Sequence, residues 1–506
     1  MSNGVVAVKN ANLCITKRFV LAPQSTWQEY ESILYLLSGT TGTIDSEDKV
    51  YMPNIIELLK KVPNHPKIQD TLYTFLGGLG EWLIYNQGFI EELLPFLLSG
   101  LSESSVLIMS SCSSSLQDIC QECAQLLSQQ SVSKVLNVCR ETLQRPNCPM
   151  KVSVRLFQIT GYVLSVLPQQ QMYQELEVMV SPLLVQLKSL LESKRPVADV
   201  MEQLSHCLNC LTALFRSLDP FEEQSNHPVS IVYAQLINIL PLLKDYCAEE
   251  VIILSATGCI SKAIEIMREK MAPYVKPTCQ LLYEIFMVQP QWSILNTSTL
   301  IIGMFATEEI VSNDIKQFYL ALTTACLGLN SADHIECMQG FMELMAKVAR
   351  NVPDFFFHDK ELQTAVIKSA LQLMTMQETP VIKSTCFFLS TYIGNAGVYE
   401  TGSLHCGKEI LMTTLHCIGV TAPRSLLDNF SDVIFAFNKN LLGQTNAWMK
   451  ELLIIPNFPT AIPSDKDKEL FQKAVAKERS SKTRLRETVK NFALLCRGLL
   501  GLTYIQ

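Results

Sequence analysis

The sequence predicts an all-α protein, a HEAT/armadillo-like helical-repeat superhelix of about eleven helix pairs. Three observations predict this fold class. Apolar residues recur with helical spacing along the chain, proline-containing breaks separate the helical segments at a regular interval, and 48% of the 506 residues are hydrophobic while 18% are charged. A chain of this length exceeds one compact core, so it must form several domains or one extended array.

The helical segments carry apolar residues at alternating steps of four and three, which places those residues on one face of a helix. No alternating strand pattern extends beyond a few residues. Four such faces are Leu72, Leu76, Leu79 and Leu83; Val152, Leu156, Ile159, Val163 and Val166; Cys337, Phe341, Leu344 and Val348; and Ile382, Cys386, Leu389 and Ile393. One amphipathic pair cannot bury its apolar face alone, so we expect neighbouring pairs to stack.

Prolines set the interval between the pairs. Placing one helix pair between successive breaks gives steps of roughly 44 residues, inside the roughly 40 to 47 of HEAT and armadillo units. The predicted pairs start near Thr26, Lys67, Ser104, Met150, Val197, Glu249, Gln291, Asp333, Thr379, Arg424 and Asp465. Separate helical bundles are the alternative, but they would need longer polar linkers than the longest candidates, residues 219–227 and 456–464.

The pattern divides the chain into three regions. Residues 1–25 show no helical-pair pattern and are expected to form a non-repeat segment, residues 26–464 form the solenoid, and residues 465–506 form charged helices that cap its C-terminal end. An apolar helix over residues 489–502 closes this cap. The array begins at Thr26 without a polar capping repeat, so we expect an N-terminally truncated form.

The composition also constrains the location of the protein. The most apolar stretch, residues 231–243, contains Gln235, Asn238 and Pro241, whereas a membrane helix needs about 20 uninterrupted apolar residues. No signal-peptide core is present near the N-terminus, so we expect a protein of the cytoplasm and nucleus without membrane contact. The seventeen cysteines lie mostly among apolar residues and are expected to be reduced and buried.

Charge is distributed unevenly along the chain. The net charge of −7 argues against direct nucleic-acid binding, which needs a concentrated positive face. Sixteen Asp or Glu oppose nine Lys or Arg between Pro168 and Ile310, and five oppose nine between Asp465 and Lys490. Acidic residues on a concave face would favour basic partners, although a solvated outer face is the alternative. The basic C-terminal region is either a solvated capping helix or an interaction patch.

Motifs that could carry chemistry are few. Cys120 with Cys123 and Cys207 with Cys210 form two CxxC pairs, but more than eighty residues separate them and both lie in apolar helices, so we expect buried packing rather than a metal site. The dipeptide His-Cys occurs twice, at residues 405–406 and 416–417. The spacing of eleven residues predicts that both histidines lie on one helix face, as metal ligands or as part of a Cys-His catalytic pair.

The glycine run over residues 76–80 lacks the lysine of a phosphate loop, and close helix packing explains it better. No catalytic residue, cofactor or metal site is therefore predicted, and the chain is not expected to be an enzyme.

Three adjacent aromatic residues form the one candidate partner-binding site. Phe355, Phe356 and Phe357 follow Pro353 at a repeat junction, and three consecutive side chains cannot all face one helix core. They either line a pocket between repeats for an apolar side chain of a partner or pack under the loop.

Four segments carry a resemblance to a known family. Residues 27–35 read WQEYESILY, residues 76–83 read LGGLGEWL, residues 119–123 read ICQEC, and residues 495–499 read LCRGL. In this order and spacing the chain resembles the importin-β (karyopherin) superfamily, specifically the C-terminal half of the importin-13 and transportin-3 branch. Members of this branch are longer, and the repeats that hold their main Ran-binding surface have no counterpart in this sequence.

The resemblance implies a nuclear transport receptor that shuttles between cytoplasm and nucleus. It would bind protein cargo, expected to be basic, and FG-repeat nucleoporins between outer helices, under regulation by the Ran GTPase. Ran binding would be weakened or lost without the N-terminal repeats. A helical-repeat scaffold that organises protein complexes is the alternative from a different class. Cargo identity and transport direction do not follow from the sequence.

Overall fold

The protein is all-α in its computed structural model, which describes residues 26–193, 195–218, 227–399 and 404–499. Every regular element within these residues is helical. The predicted fold class, an all-α helical-repeat array, is thereby confirmed. The predicted non-repeat segment, residues 1–25, lies outside the described residues. None of the helices described is long and apolar enough to cross a membrane.

The chain divides into two compact units, residues 1–242 with 258–271 and residues 243–257 with 272–506. The helices of the first unit are α1 (Trp27–Ser38), α2 (Tyr51–Leu59), α3 (Pro66–Gly77), α4 (Gly80–Tyr85), α5 (Gly88–Leu101), α6 (Val106–Cys123), α7 (Gln129–Leu143), α8 (Met150–Leu164), α9 (Gln169–Glu192), α10 (Val197–Ser217) and α11 (Pro228–Leu236). Helix α12 (Glu250–Met267) contributes residues to both units.

Over the part of the second unit that the structure describes, the chain continues with twelve further helices. They are α13 (Ala272–Val288), α14 (Trp292–Phe305), α15 (Ser312–Leu327), α16 (Ile335–Asn351), α17 (Pro353–Phe357), α18 (Lys360–Met374), α19 (Thr379–Tyr399), α20 (Gly407–His416), α21 (Leu427–Asn440), α22 (Leu442–Leu453), α23 (Asp465–Lys477) and α24 (Lys482–Cys496).

Within each unit the helices alternate between two layers. In the first unit α1, α3, α6, α8 and α10 pack along one another in a tight layer, while α5, α7, α9 and α11 form an open layer whose members touch less. In the second unit α14, α16, α19, α21 and α24 form the tight layer. Its open layer consists of α13, α15, α18, α20, α22 and α23. Clefts between neighbouring open-layer helices follow from this difference in packing.

The predicted helix pairs agree with the observed ones except at the C-terminal end. Ten of the eleven predicted starts lie within three residues of the start of a helix that opens a pair. The eleventh, Asp465, begins α23, but α23 belongs to the open layer and the tight-layer helix is α24. The last apolar helix was expected from residue 489, and it begins earlier, at Lys482. The division into array and cap stays a prediction.

The apolar faces read from the sequence are the buried faces of the helices. Fifteen of the sixteen residues that form their four-residue cores are at most 4% exposed, and Leu72 is 6% exposed. Only Val166, beyond the end of α8, is half-buried. Burying a Leu, Ile or Val side chain contributes about 1.5–3 kcal/mol, so these stripes supply the main force that stacks the pairs.

Glycine allows a close helix crossing between α3 and α6 in the first unit. A Cβ atom at Gly77 would lie 2.9 Å from the Ser115 Cα atom, and one at Gly78 would lie 2.8 Å from the Thr41 Cβ atom. The contact between Gly77 and Ser115 joins α3 to α6 in the tight layer. Close packing, expected from the glycine run, is thus confirmed.

Candidate partner-binding surfaces

The predicted phenylalanine site lies largely inside the protein. Phe356 is fully buried and Phe357 is 5% exposed, whereas Phe355 is half-buried. Phe356 packs edge-on against Tyr392 with ring centroids 5.8 Å apart, and Phe357 stacks on Tyr399 at 4.9 Å. Two of the three rings therefore belong to an aromatic core, and only Phe355 has surface left for a partner. Its binding role stays a prediction.

The cysteine pairs are packed inside helices. Cys120, Cys123, Cys207 and Cys210 are each at most 1% exposed. Burial raises the pKa of Cys123 to about 11 and that of Cys207 to about 12, so these thiols stay protonated. In the part of the chain that the structure describes, no cluster of three or more His, Cys, Asp or Glu side chains could hold a metal ion.

The two His-Cys pairs do not share a helix face, contrary to the sequence-based expectation. His416 is the last residue of α20, whereas His405 lies before the helix. Cys406 has a left-handed backbone conformation, with φ of 53°, and α20 begins at the next residue. The ten residues of α20 separate the histidines by about 15 Å at 1.5 Å per residue. His405 lies 2.7 Å from the Thr364 hydroxyl instead.

A hydroxyl, an imidazole and a thiol meet in one cleft of the first unit. The Ser153 Oγ atom lies 2.8 Å from His206 Nε2, and Cys210 Sγ lies 3.6 Å from the same nitrogen. The Ser153 hydroxyl also lies 3.0 Å from the Met150 carbonyl, so the carbonyl and the imidazole are both within reach of its one proton. Burial lowers the pKa of His206, which keeps it neutral. The cluster is explained by mutual hydrogen bonding.

Ion pairs, one inside each unit, neutralise part of the acidic middle region. Arg140 in α7 contacts Glu175 in α9 at 2.5 Å, and Lys244 pairs with Glu284 of α13. Both pairs join different helical segments rather than extending into solvent. The region keeps its acidic excess, since it contains more acidic than basic residues.

The basic C-terminal helices are tied to α21 by carboxylates. Asp432 accepts hydrogen bonds from Lys482 at 2.9 Å and from the Arg486 guanidinium at 2.9 and 3.0 Å, while Lys490 contacts Asp428 at 2.8 Å. Within the described residues, the basic side chains of this region without an ion pair are Lys466, Lys468, Lys477, Arg479 and Arg484. Much of the positive charge therefore serves to attach α24.

An apolar groove lies between α13 and α15 in the open layer of the second unit. We call it groove 1, and its volume is about 630 Å³. Phe286 forms its buried floor, Met287 is 56% exposed at its rim, and Ala321 and Ala325 keep the facing wall shallow. The remaining lining residues are Tyr283, Pro290, Leu320, Thr324, Gly328 and Leu329. Its lining carries no charged side chain.

A second groove has the same position in the first unit, between α5 and α7. Groove 2 has a volume of about 380 Å³ and is lined by Glu91, Leu94, Pro95, Leu98, Ser131, Lys134, Asn137 and Val138. Leu94 and Leu98 form its buried floor. The Glu91 carboxylate accepts hydrogen bonds from the Ser131 hydroxyl and, at 3.1 Å, from the Ser128 amide. These bonds lower the pKa of Glu91 and fix the distance between the two helices.

Sequence reasoning missed both grooves, although one local signal was present. Residues 285–288 read IFMV, and four consecutive apolar residues cannot all face the core of one helix. Met287 and Val288 are accordingly exposed, at 56% and 60%. The facing residues come from α15, about 35 residues later, and helical periodicity carries no information about such a distant neighbour.

Comparison with known proteins agrees with this architecture. Residues 50–138 match the family model of the transportin-3/importin-13 third TPR domain, and residues 374–445 match that of the importin 13 repeat. The chain is similar to importin-13 of Homo sapiens, at 28% identity over 502 residues, which cover 95% of this chain and 52% of importin-13. It is also similar to the mRNA transport regulator MTR10 of Saccharomyces cerevisiae, at 21% identity, covering 69% of this chain and 38% of that protein.

Solved structures share the fold. A structure of importin-13 in a cytosolic state matches with a TM-score of 0.85 and 22% identity, over 97% of this chain and 57% of that one. A crystal structure of importin β matches with a TM-score of 0.58 and 13% identity, over 99% of this chain and 60% of the other. The chain spans about half the length of the importin-13 relatives it matches. In its family-model matches, its sequence and its fold, the chain is therefore similar to the importin-13 and transportin-3 branch of the importin-β superfamily.

Proposed function

We propose that this chain acts as a nuclear transport receptor, which binds protein cargo and carries it between cytoplasm and nucleus. The observation that carries the proposal is the similarity to importin-13 along 95% of the chain, together with the shared helical-repeat fold. Shuttling between the two compartments follows from this role. The acidic excess between Pro168 and Ile310 favours basic cargo, because opposite charges speed encounter and suppress wrong partners.

Groove 1 and groove 2 are the proposed docking sites for the FG repeats of nucleoporins. Each groove is shallow, has an apolar floor and is bounded by two open-layer helices, which suits a single phenylalanine ring followed by a flexible glycine. Burial of one such side chain contributes about 1.5–3 kcal/mol, which corresponds to weak and rapidly exchanging binding at each groove. Several weak sites along one chain would give net affinity without immobilising the receptor.

The Ran GTPase is the proposed regulator. The family model of a third domain matches from residue 50, and we expect the main Ran-binding repeats of the family to precede that domain. We therefore propose that this chain alone binds Ran-GTP weakly or not at all.

A pull-down on an immobilised FG-repeat segment tests the docking sites. The Met287→Asp variant places a charge in groove 1, and Val288→Asp is the matched control, because its side chain is equally exposed on α13 but does not line the groove. We expect Met287→Asp to lose at least about half of the retained protein and Val288→Asp to bind like the wild type. Equal retention of all three proteins would reject groove 1 as a docking site.

The scaffold alternative has a distinct experimental signature. A wild-type chain that retains no FG-repeat segment, remains wholly cytosolic and is immobile at nuclear pores would favour a static scaffold over a transport receptor.

A further inference from the structure

A cleft of the second unit lies between α22 and α23, at the C-terminal end of the open layer. Its volume is about 720 Å³, inside the range of roughly 300–1,000 Å³ typical of ligand sites. Both helices line it with one face, and the residues are Asn446, Lys450, Leu453, Ile454, Asp465, Lys468, Glu469, Gln472, Lys473 and Ala476. Gln472 donates to the Asn446 carbonyl at 3.3 Å and thereby holds the two helices in register.

A buried lysine in this cleft has unused hydrogen-bond donors. Lys468 is only 5% exposed, and the one acceptor that contacts its ammonium within the described residues is the Ile455 carbonyl, at 3.4 Å. An ammonium group offers three donors, and a buried charge is costly unless it is paired. Lys473, one turn further along α23, is by contrast satisfied by Glu469 at 2.5 Å.

The same cleft contains an unused acceptor. The Asn446 Oδ1 atom is shielded from solvent and receives no hydrogen bond. The Asn446 amide oxygen therefore lacks a hydrogen-bond donor, and the Lys468 ammonium lacks further acceptors. An ionised carboxylate alone would satisfy only the Lys468 ammonium, because it accepts hydrogen bonds but donates none.

The charge and the apolar surface of the cleft narrow the choice of occupant. Once Lys473 is paired with Glu469, Lys450 and Lys468 oppose only Asp465 among the lining charges. Leu453 supplies a buried apolar floor, and Ile454 is 78% exposed at the rim. The cleft thus combines a positive centre with an apolar surface beside it.

We propose that the α22–α23 cleft binds an acidic peptide segment of a partner protein. A carboxylate of the segment contacts Lys468 and Lys450, a backbone N–H donates to Asn446 Oδ1, and a neighbouring apolar side chain rests on Leu453 and Ile454. A peptide offers the acceptor, the donor and the apolar side chain within one to three residues of each other, whereas a free anion lacks the last two. This site is separate from groove 1 and groove 2 and does not depend on the proposed transport function.

Fluorescence anisotropy with a panel of labelled heptapeptides tests the proposal on the full chain. Each peptide carries one Asp or Glu followed one to three residues later by Leu, Ile or Phe, and its partner peptide carries Asn or Gln instead. Each is prepared with a free and an amidated C-terminus, so that a side-chain carboxylate is distinguished from a terminal one. We expect at least one acidic peptide to bind, its neutral partner to bind at least about tenfold more weakly, and added salt to weaken binding.

Two variants and a matched control locate the site. Lys468→Met keeps the aliphatic stem and removes the charge, and should weaken binding by about tenfold or more. Lys450→Met, at an exposed position, should weaken it by about threefold and covers the case in which the buried variant fails to fold. Lys466→Met removes an exposed lysine of α23 that does not line the cleft and should leave binding unchanged.

Three results would overturn the proposal: no peptide of the panel binding below roughly 1 mM, neutral partners binding as tightly as the acidic peptides, or Lys466→Met weakening binding as much as Lys450→Met. Variants of groove 1 should not affect this assay, so its failure and a failure of the transport function are distinguishable.

Discussion

Replacing Gly77 by alanine tests whether the tight layer of the first unit is as closely packed as the structure shows. The new Cβ atom would lie 2.9 Å from the Ser115 Cα atom and 3.2 Å from the Asp118 carboxylate. Because the nearest atom belongs to the backbone of α6, no side-chain rotation relieves the contact. The helices α3 and α6 must separate by about half an ångström to restore an ordinary van der Waals distance.

The expected cost combines two opposing effects. Overpacking of this kind costs about 1–3 kcal/mol, and the shift also weakens the hydrogen bond from the Ser115 hydroxyl to the Tyr73 carbonyl. Alanine gains up to about 1 kcal/mol over glycine in a helix because it restricts the unfolded chain more. We expect a net loss of about 0.5–2 kcal/mol of local stability.

Gly394→Ala is the matched control. Gly394 lies inside α19, and among the described residues no atom outside the backbone of its own helix turn lies within 4 Å of the position of its Cβ atom. The same substitution there should stabilise the helix by about 0.5–1 kcal/mol. The two variants are therefore predicted to have opposite signs.

Native-state hydrogen exchange is the appropriate assay, because long repeat arrays do not unfold in a single two-state step. Amides of α3 and α6 should exchange about two to thirty times faster in Gly77→Ala, and amides of α19 more slowly in Gly394→Ala. Equal or greater protection of α3 and α6 in Gly77→Ala would refute the close packing of these helices.

Three further predictions concern single contacts. Asp432→Ala should release Arg486, cost about 1 kcal/mol and expose α24 to limited proteolysis; an unchanged cleavage rate would contradict the attachment described above. Ser131→Ala should raise the pKa of Glu91 towards its usual value, so at neutral pH the variant should lack the stability that the lowered pKa contributes. In urea unfolding, the difference in stability between variant and wild type should vanish as the pH falls through the folded-state pKa of Glu91. A difference that persists in acid would contradict this origin. Cys148, half-buried, should be alkylated by N-ethylmaleimide before the buried thiols, as peptide mass spectrometry can show.

Local periodicity is why the helices and nearly all of their pairs could be predicted. A face such as Cys337, Phe341, Leu344 and Val348 depends only on spacing within one helix, and it is buried as expected. The helix predicted at Asp465 begins there, but it joins the open layer, because the chain crosses over residues 454–464 between two helices of the same layer. Prolines mark such a break but do not tell which layer the next helix joins.

The binding surfaces depend on contacts between distant residues, which periodicity does not encode. Because residues 355–357 are three consecutive phenylalanines, the sequence shows that they cannot all face one core. It does not show which of them is buried. Lys468 stands in a helix that reads as a solvated, charged segment, yet it is 5% exposed and donates to the carbonyl of Ile455, a residue outside that helix. Groove 1 forms between helices from different pairs.

Entry into the nucleus tests the central claim, that the chain is a transport receptor, most directly. The chain is fused to a fluorescent carrier too large to diffuse through pores and added to permeabilised cells. We predict that the fusion enters nuclei faster than the carrier alone. A double variant with a charge in each groove, Met287→Asp with Val138→Glu, should enter no faster than the carrier. The control double variant, Val288→Asp with Ser133→Glu, should enter as fast as the wild-type fusion. A wild-type fusion that enters no faster than the carrier alone would contradict the account.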